Sequence, residues 1–472
     1  MTVQFKFGKQ VLVFLAVFGL GMASTQEAKP SFEMDTPVLS QIKSLGFLSP
    51  RAQPPGLDLI DQLDPLSPFH PPVPQISTQE RLSLLSREDI LKDPLHRVSA
   101  PFKVSPAFQQ RVGFWLDIYT LYGAQDHVIH HSRYPWIIFE VVDTSEFLNG
   151  RGALWYRRQK GQNHVRARQQ EIRRGLQRLA QRRSFTNLSP LEQHLFDQME
   201  QAPGSRRAAF ALASQSVRSQ LGQKDYIKMA IRRSGKYLPY IEQEFSRQGL
   251  PIELTRIPIV ESSFNERAQS RVGASGIWQI MPRTGQAYMR VNDRIDERNS
   301  PLKASRLAAR LLRQYHRSLG SWELAITSYN HGVGNIRKAI REARSDDLAT
   351  IIARYHRGHF RFASSNFYAS FLAALYAERY QDVFFPAIAK KPLQEREIWT
   401  LTRSASVTEI LKVTELTRSQ LIDYNLDLRR MGNANLVLPR GFELHLPSGS
   451  GNPQLQKISR KTTPRSWNQG RS

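Results

Sequence analysis

One carboxylate in this chain sits where its protonation could be useful. Ile257-Pro258-Ile259-Val260 leads into Glu261, and Phe264 follows it. Apolar surroundings strip water from a carboxyl group, disfavour its charged form and raise its pKa. A raised pKa lets a glutamic acid hold its proton near neutral pH and give it to a leaving oxygen. By itself such a residue could equally lie at an exposed helix end, paired with Arg256 or Arg267. Two later segments supply company for it. Gly273-Ala274-Ser275-Gly276-Ile277-Trp278-Gln279-Ile280-Met281-Pro282 combines glycines, which permit close backbone approach, with a flat indole suited to a sugar face. Ser328-Tyr329-Asn330-His331-Gly332 offers a phenol whose hydroxyl could orient a carboxyl group. The nearby acids Glu266, Asp293, Asp296, Glu297 and Glu323 stand outside these segments and read as surface or cap residues.

Other chemistries find less support. The chain has no Cys, which excludes disulfides, thiolate metal sites and thiol nucleophiles. Neither a Gly-x-Ser-x-Gly elbow nor a phosphate-binding loop is present. His127, His130 and His131, like His356 and His359, lack carboxylates at ligand spacing, so a structural or surface role is expected and neither metal nor cofactor.

Helices must position the three segments. Ile227, Ile231, Leu238, Ile241 and Phe245 mark two helices broken near Pro239, and Gly249 closes the second. Ser300-Pro301 starts a helix ending at Gly320, Trp322 to Tyr329 forms another, and Phe362 to Tyr380 a third. Residues 225–385 therefore read as one almost all-α domain. Residues 111–224 read as a mixed, mainly helical region. There Tyr134 to Asp143 supplies one or two buried strands, and Arg151 to Arg183 forms an amphipathic helix with eleven Lys/Arg against Glu171 alone. Residues 397–447 read strand, helix, helix, strand, a compact βααβ module.

The flanks are simpler. Residues 1–23 have the layout of a cleaved export signal: Lys6 and Lys9, an apolar run, then Gly21-Met22-Ala23. Residues 24–110 include eight prolines between Pro50 and Pro74 and read as an extended segment, with one short helix at Ser86 to Leu91. Residues 448–472 are basic without an acid and read as a disordered tail. The net charge of +25 points to a polyanionic partner. For an exported protein that partner is the cell envelope, through an anionic polymer or membrane surface on the basic helix, and not nucleic acid. The expected location is the periplasm or envelope, with membrane association left open.

Together the three blocks, Glu-Ser-Ser-Phe-Asn, Ser-x-x-Gly-Ala-x-Gly-Ile-Trp-Gln-Ile-Met-Pro-x-Thr-Gly and Tyr-Asn-x-Gly, resemble the catalytic domain of the soluble-type and membrane-bound D-type lytic murein transglycosylases. The likeness runs from about Ile241 to Ala374. It implies a lysozyme-like α fold of the goose type acting on peptidoglycan glycan strands. The bond cut would be the β-1,4 link from N-acetylmuramic acid to N-acetylglucosamine, with formation of a 1,6-anhydro end. Carried over residue by residue, Glu261 is the acid/base and Ser262 the small residue beside it. Ser270 supports the reacting sugar, and Gln279 and Met281 line the cleft. Tyr329 bonds Glu261, and Asn330 holds the same wall. Ser328 stands where the family usually has Ala. The C-terminal module resembles a lysin motif through Leu421, Asn425, Gly441, Leu444 and Pro447, without the usual opening Gly-Asp-Thr. A hydrolytic lysozyme-like muramidase and a non-catalytic wall-binding scaffold remain the alternatives.

Overall fold

The computed structural model describes residues 85–149, 151–357, 360–432 and 435–462. The export signal, the eight-proline run and the last ten residues of the tail lie outside them. The fold is mainly α. Its helices are α1 (Arg87–Leu91), α2 (Gln109–Thr120), α3 (Leu154–Gln181), α4 (Pro190–Gln198), α5 (Arg206–Gln215), α6 (Lys224–Ser234), α7 (Leu238–Arg247) and α8 (Ile257–Ser262). They continue with α9 (Pro282–Tyr288), α10 (Pro301–Leu319), α11 (Trp322–His331), α12 (Val333–Ala343), α13 (Leu348–Arg354), α14 (Phe362–Arg379), α15 (Val407–Thr414) and α16 (Arg418–Tyr424). The strands are β1 (Asp126–His131), β2 (Ile138–Asp143), β3 (Val217–Leu221), β4 (Glu397–Leu401), β5 (Ala405–Ser406), β6 (Val437–Leu438), β7 (Glu443–Leu446) and β8 (Ser459–Lys461).

Three apolar cores result. The largest joins α1 and α2 to α6–α8 and α10–α14 and includes Trp115, Phe245, Trp278, Leu312, Phe371 and Tyr376. Helix α14 is buried nearly all round, which makes it the central rod of the domain, as expected of a helix apolar on every face. A second core lies under the antiparallel sheet β2-β1-β3 and the basic helix α3. Ile172, Leu176 and Leu179 form the buried stripe of that helix, and its remaining faces carry the arginines. The third core belongs to the C-terminal module, where β4 pairs with β7 with Trp399 opposite Leu444.

Three expectations need correction. The extended segment does not reach residue 110. From Ile90 onward, Leu91, Val98, Phe102 and Phe108 enter the main core, because prolines 101 and 106 sit in the first turn of short 3-10 helices, where a missing N–H costs nothing. Nor does residue 225 divide two cores, since α2 packs along α14 inside the main one. The tail is ordered as far as it is described. Leu455 and Ile458 are buried in the module's core, and β8 covers the open edge of β4, pairing Trp399 with Lys461. Composition pointed to disorder, but two apolar residues and an unpaired strand edge were enough to hold the segment. In the middle region, the run from Tyr134 contributes the single strand β2. Its partner β1 contains the three histidines.

Candidate active site

Helix α8 is short because its sequence ends it. Ser263 and Phe264 both take the left-handed conformation, at φ 51° each, and their N–H groups close back on Ile259 and Pro258 at 3.1 Å. This costs backbone strain, offset by seating Phe264 in the core at 1% exposure. The stop leaves Glu261 one residue from the helix end, 7% exposed. Burial pushes its carboxyl up to about 8, and no neighbouring charge contributes to that change. The two arginines that could have neutralised it are engaged elsewhere. Arg256 is buried against Glu378 at 3.1 Å and against Glu242, and Arg267 points to Asp423 at 3.6 Å.

The glycine segment folds as a loop tied to α8. Ser262 Oγ donates to the Ile277 carbonyl at 2.8 Å. Ser270 Oγ accepts from the Ala274 N–H at 2.9 Å, closing a small turn. At Gly276, φ is +76° and an added Cβ would lie 2.1 Å from the Arg298 carbonyl, so only glycine fits. Gln279 is 5% exposed at φ 47°. Its Nε2 donates to Gly276 O at 2.9 Å and Ala268 O at 3.3 Å. Met281 stands half-buried at the entry to α9.

Two expected contacts are corrected. Trp278 offers no sugar platform. It is fully buried, stacked on Phe245 at 5.7 Å, with its indole N–H donating to Ser305 Oγ at 2.7 Å. Its aromatic area was worth more in the core than at the surface. Tyr329 does not donate to Glu261, because its hydroxyl donates to the Trp278 carbonyl at 2.9 Å. It remains close enough that the charge on Glu261, after burial, raises the pKa of the phenol. Asn330 is half-buried and accepts from Ser364 Oγ at 3.3 Å.

Several residues that hold this site were not singled out in the sequence. Arg298 donates to Gly273 O at 2.7 Å and Ile280 O at 3.0 Å, spanning the glycine loop. Asp296 holds the same guanidinium at 2.8 Å, and Ser275 Oγ donates to Asn299 Oδ1 at 2.6 Å. Asp296 and Glu297 are thus buried supports and not surface residues, at 0% and 7% exposure. The C-terminal module reaches this layer directly. Asp427 accepts from Lys303 Nζ at 2.6 Å, both buried, and its carbonyl accepts from Asp296 N at 2.8 Å. Arg306 forks onto Glu443. The only advance signal was the density of charge in Asp296 to Arg298, which by itself also suits a solvated turn.

His130 and His131 have a structural place. His130 lies between the rings of Phe114 and Phe362, at 4.7 and 5.4 Å, and burial lowers its pKa to about 3. His131 Nδ1 accepts from the N–H groups of Arg133 and Tyr134 at 3.0 and 3.2 Å and pins the turn between β1 and β2.

A buried, unpaired carboxylic acid above a glycine-rich loop, on helices packed round a central helical rod, is a lysozyme-like arrangement. Residues 239–352 match the transglycosylase SLT domain. The SLT domain thus contains Glu261, the glycine loop and Tyr329-Asn330, and α14 and the C-terminal module lie beyond the match. Over 132 residues the chain is 31% identical to membrane-bound lytic murein transglycosylase D of Escherichia coli (strain K12), and equally to that of strain CFT073. This covers 28% of this chain and 29% of each relative, so the chain spans under a third of the length of these proteins. A protein named for tributyltin chloride resistance from Alteromonas sp. (strain M-1) is 33% identical over 127 residues, 26% of this chain and 60% of its own length.

Proposed function

We propose that the protein is an exported peptidoglycan lytic transglycosylase with Glu261 as its single acid/base. It cleaves the β-1,4 bond between N-acetylmuramic acid and N-acetylglucosamine and leaves 1,6-anhydro-N-acetylmuramic acid ends. The observation that carries this reading is the state of Glu261: buried, raised to about 8 by desolvation, with no second acid acting on it. Hydrolytic glycosidases generally set two carboxyl groups about 5–9.5 Å apart, one for the leaving oxygen and one for water or the sugar. With one carboxyl, the substrate's 2-acetamido group supports the oxocarbenium-like centre. Glu261 protonates the leaving oxygen, then accepts the proton of the 6-hydroxyl as that oxygen attacks the anomeric carbon. The intramolecular attack replaces water and gains from proximity.

In this reading Met281 and Asn330 face the glycan, while Ser262, Ser270, Gln279 and Tyr329 hold the walls. The lysin-motif-like module serves the SLT domain as a support through Lys303–Asp427 and Arg306–Glu443. The basic face of α3, with Arg158, Lys160, Arg166 and Arg174 exposed, meets an anionic envelope polymer or membrane surface. No helix among the described residues is long and apolar enough to cross a membrane.

Digestion of purified sacculi followed by mass spectrometry tests the reading. Anhydro-muropeptides are expected from the wild type and none from Glu261→Gln. Reducing-end products one water heavier would favour a muramidase. Binding to sacculi without release would favour a scaffold.

A further inference from the structure

Of the four buried arginines among the described residues, two face acids. Arg256 meets Glu378 and Glu242, and Arg298 meets Asp296. Arg396 lies instead among the rings of Tyr237, Tyr240 and Tyr424. Arg111, at 7% exposure, has no acid partner among the described residues. Its terminal nitrogens donate to Asn366 Oδ1 at 2.9 Å and the Arg133 carbonyl at 3.1 Å, both neutral acceptors. The Trp136 ring lies 5.3 Å from its guanidinium carbon. Burial draws its pKa down to about 10, the mark of a cation whose lost hydration is not replaced by a counter-charge.

This arginine lines a cavity of about 170 Å³. The other walls are Arg133, Tyr134, Trp136, Phe108 and Ile352, with three alanines, and none of these lining side chains is acidic. The cavity is prepared on both sides. His131 Nδ1 fixes the backbone of Arg133 and Tyr134, and Arg133 itself donates to the Ala353 carbonyl on α13 at 2.9 Å. Two guanidinium groups without an acid form a receptor for an anion. Guanidinium forks match carboxylates, two parallel N–H groups to two oxygens. The rest of the lining is aromatic and aliphatic, which suits an anion carrying a small apolar group better than a fully hydrated inorganic ion.

We propose that this cavity binds the terminal carboxylate of a short peptide with a small apolar side chain, held by Arg111 and Arg133 against Trp136. Wall stem peptides are one source of such ends, and that source rests on the peptidoglycan reading above. The site would fasten the peptide side of a strand while the SLT domain acts on its sugars.

Calorimetry on the intact chain with N-acetyl-D-alanine and its amide tests the proposal, since the two probes differ only in the carboxylate. Saturable binding of the acid and none of the amide are expected. Arg111→Gln should weaken the acid by about tenfold or more. Arg133→Gln, at the half-buried rim, should weaken it several-fold while the protein still unfolds cooperatively, which covers the case in which Arg111→Gln fails to fold. No saturable binding of the acid, equal binding of the amide, or unchanged binding by a folded Arg133→Gln protein would overturn it. The measurement does not depend on glycan cleavage, and Glu261→Gln should bind as the wild type does. A protein that binds the acid but releases no anhydro-muropeptides would sink only the transglycosylase reading.

Discussion

Replacing Glu261 by Gln should make the protein more stable, by an amount that grows with pH. An ordinary glutamate titrates near 4.5, and burial moves Glu261 to about 8. Between those values the folded state keeps a proton that the unfolded state has released. Stability therefore falls as pH rises, by about 1.4 kcal/mol per pH unit. The favourable burial of the neutral acid is fully present below about 4.5 and is lost as pH rises through about 8. Over the whole window the change amounts to about 5 kcal/mol, an upper figure for a site that still touches solvent. Gln has nearly the same shape and no ionisation at these pH values, so its curve lacks this decline. Denaturant unfolding of both proteins at about pH 5, 6.5 and 8.5 measures the difference, which should open at roughly that slope and flatten above the upper pKa. Parallel stability curves would mean that Glu261 titrates as an ordinary surface carboxylate, and the reasoning that makes it a general acid would fail with it. The same protonation predicts that wall-lytic activity falls above about pH 8, where Glu261 no longer carries a proton to give.

Other expectations follow from the supports. Asp427→Asn breaks a buried ion pair with Lys303 and should destabilise the fold by about 3 kcal/mol; sacculus-lysis rates should drop with it, and an unchanged melting temperature would argue against the module as a support. Gly276→Ala puts a methyl group into the Arg298 carbonyl and should abolish activity while leaving the module's own packing intact, as read by the near-UV signal of Trp399. Tyr329→Phe removes the bond to Trp278 O and should cost about 1 kcal/mol, lowering kcat without moving the pH profile, since the hydroxyl does not touch Glu261.

The chain's periodicity marked the helices that build the domain well, because each carries its own apolar stripe and stop signal. Ser300-Pro301 starts a helix where expected, and Gly320 ends it in the left-handed conformation. Glu261 could be singled out as a candidate only in company, because its apolar run also suits an exposed helix end and the glycine segment and Tyr329-Asn330 tipped the reading. Side-chain direction was not legible. Trp278 could have faced a sugar or the core, and the stacking partner Phe245 that decided the matter lies 33 residues away in sequence. The Tyr329 hydroxyl had two acceptors within its neighbourhood, and only the folded loop set the Trp278 carbonyl in front of it. The ion pairs that bring Asp427 to Lys303 link residues 124 apart, and no local pattern encodes such a meeting. Order at residues 453–461 likewise depends on the bare edge of β4.

What the sequence determined by itself was one carboxylate following an apolar run, with a glycine-bounded segment and a Tyr-Asn pair at set distances further along the chain. Such local terms travel with the chain. Tertiary structure alone decided that no cation among the described residues reaches that carboxylate, because Glu378 and Glu242 hold Arg256 away, and that a remote C-terminal module braces the loop beside it. Competition among partners is settled only when distant segments pack.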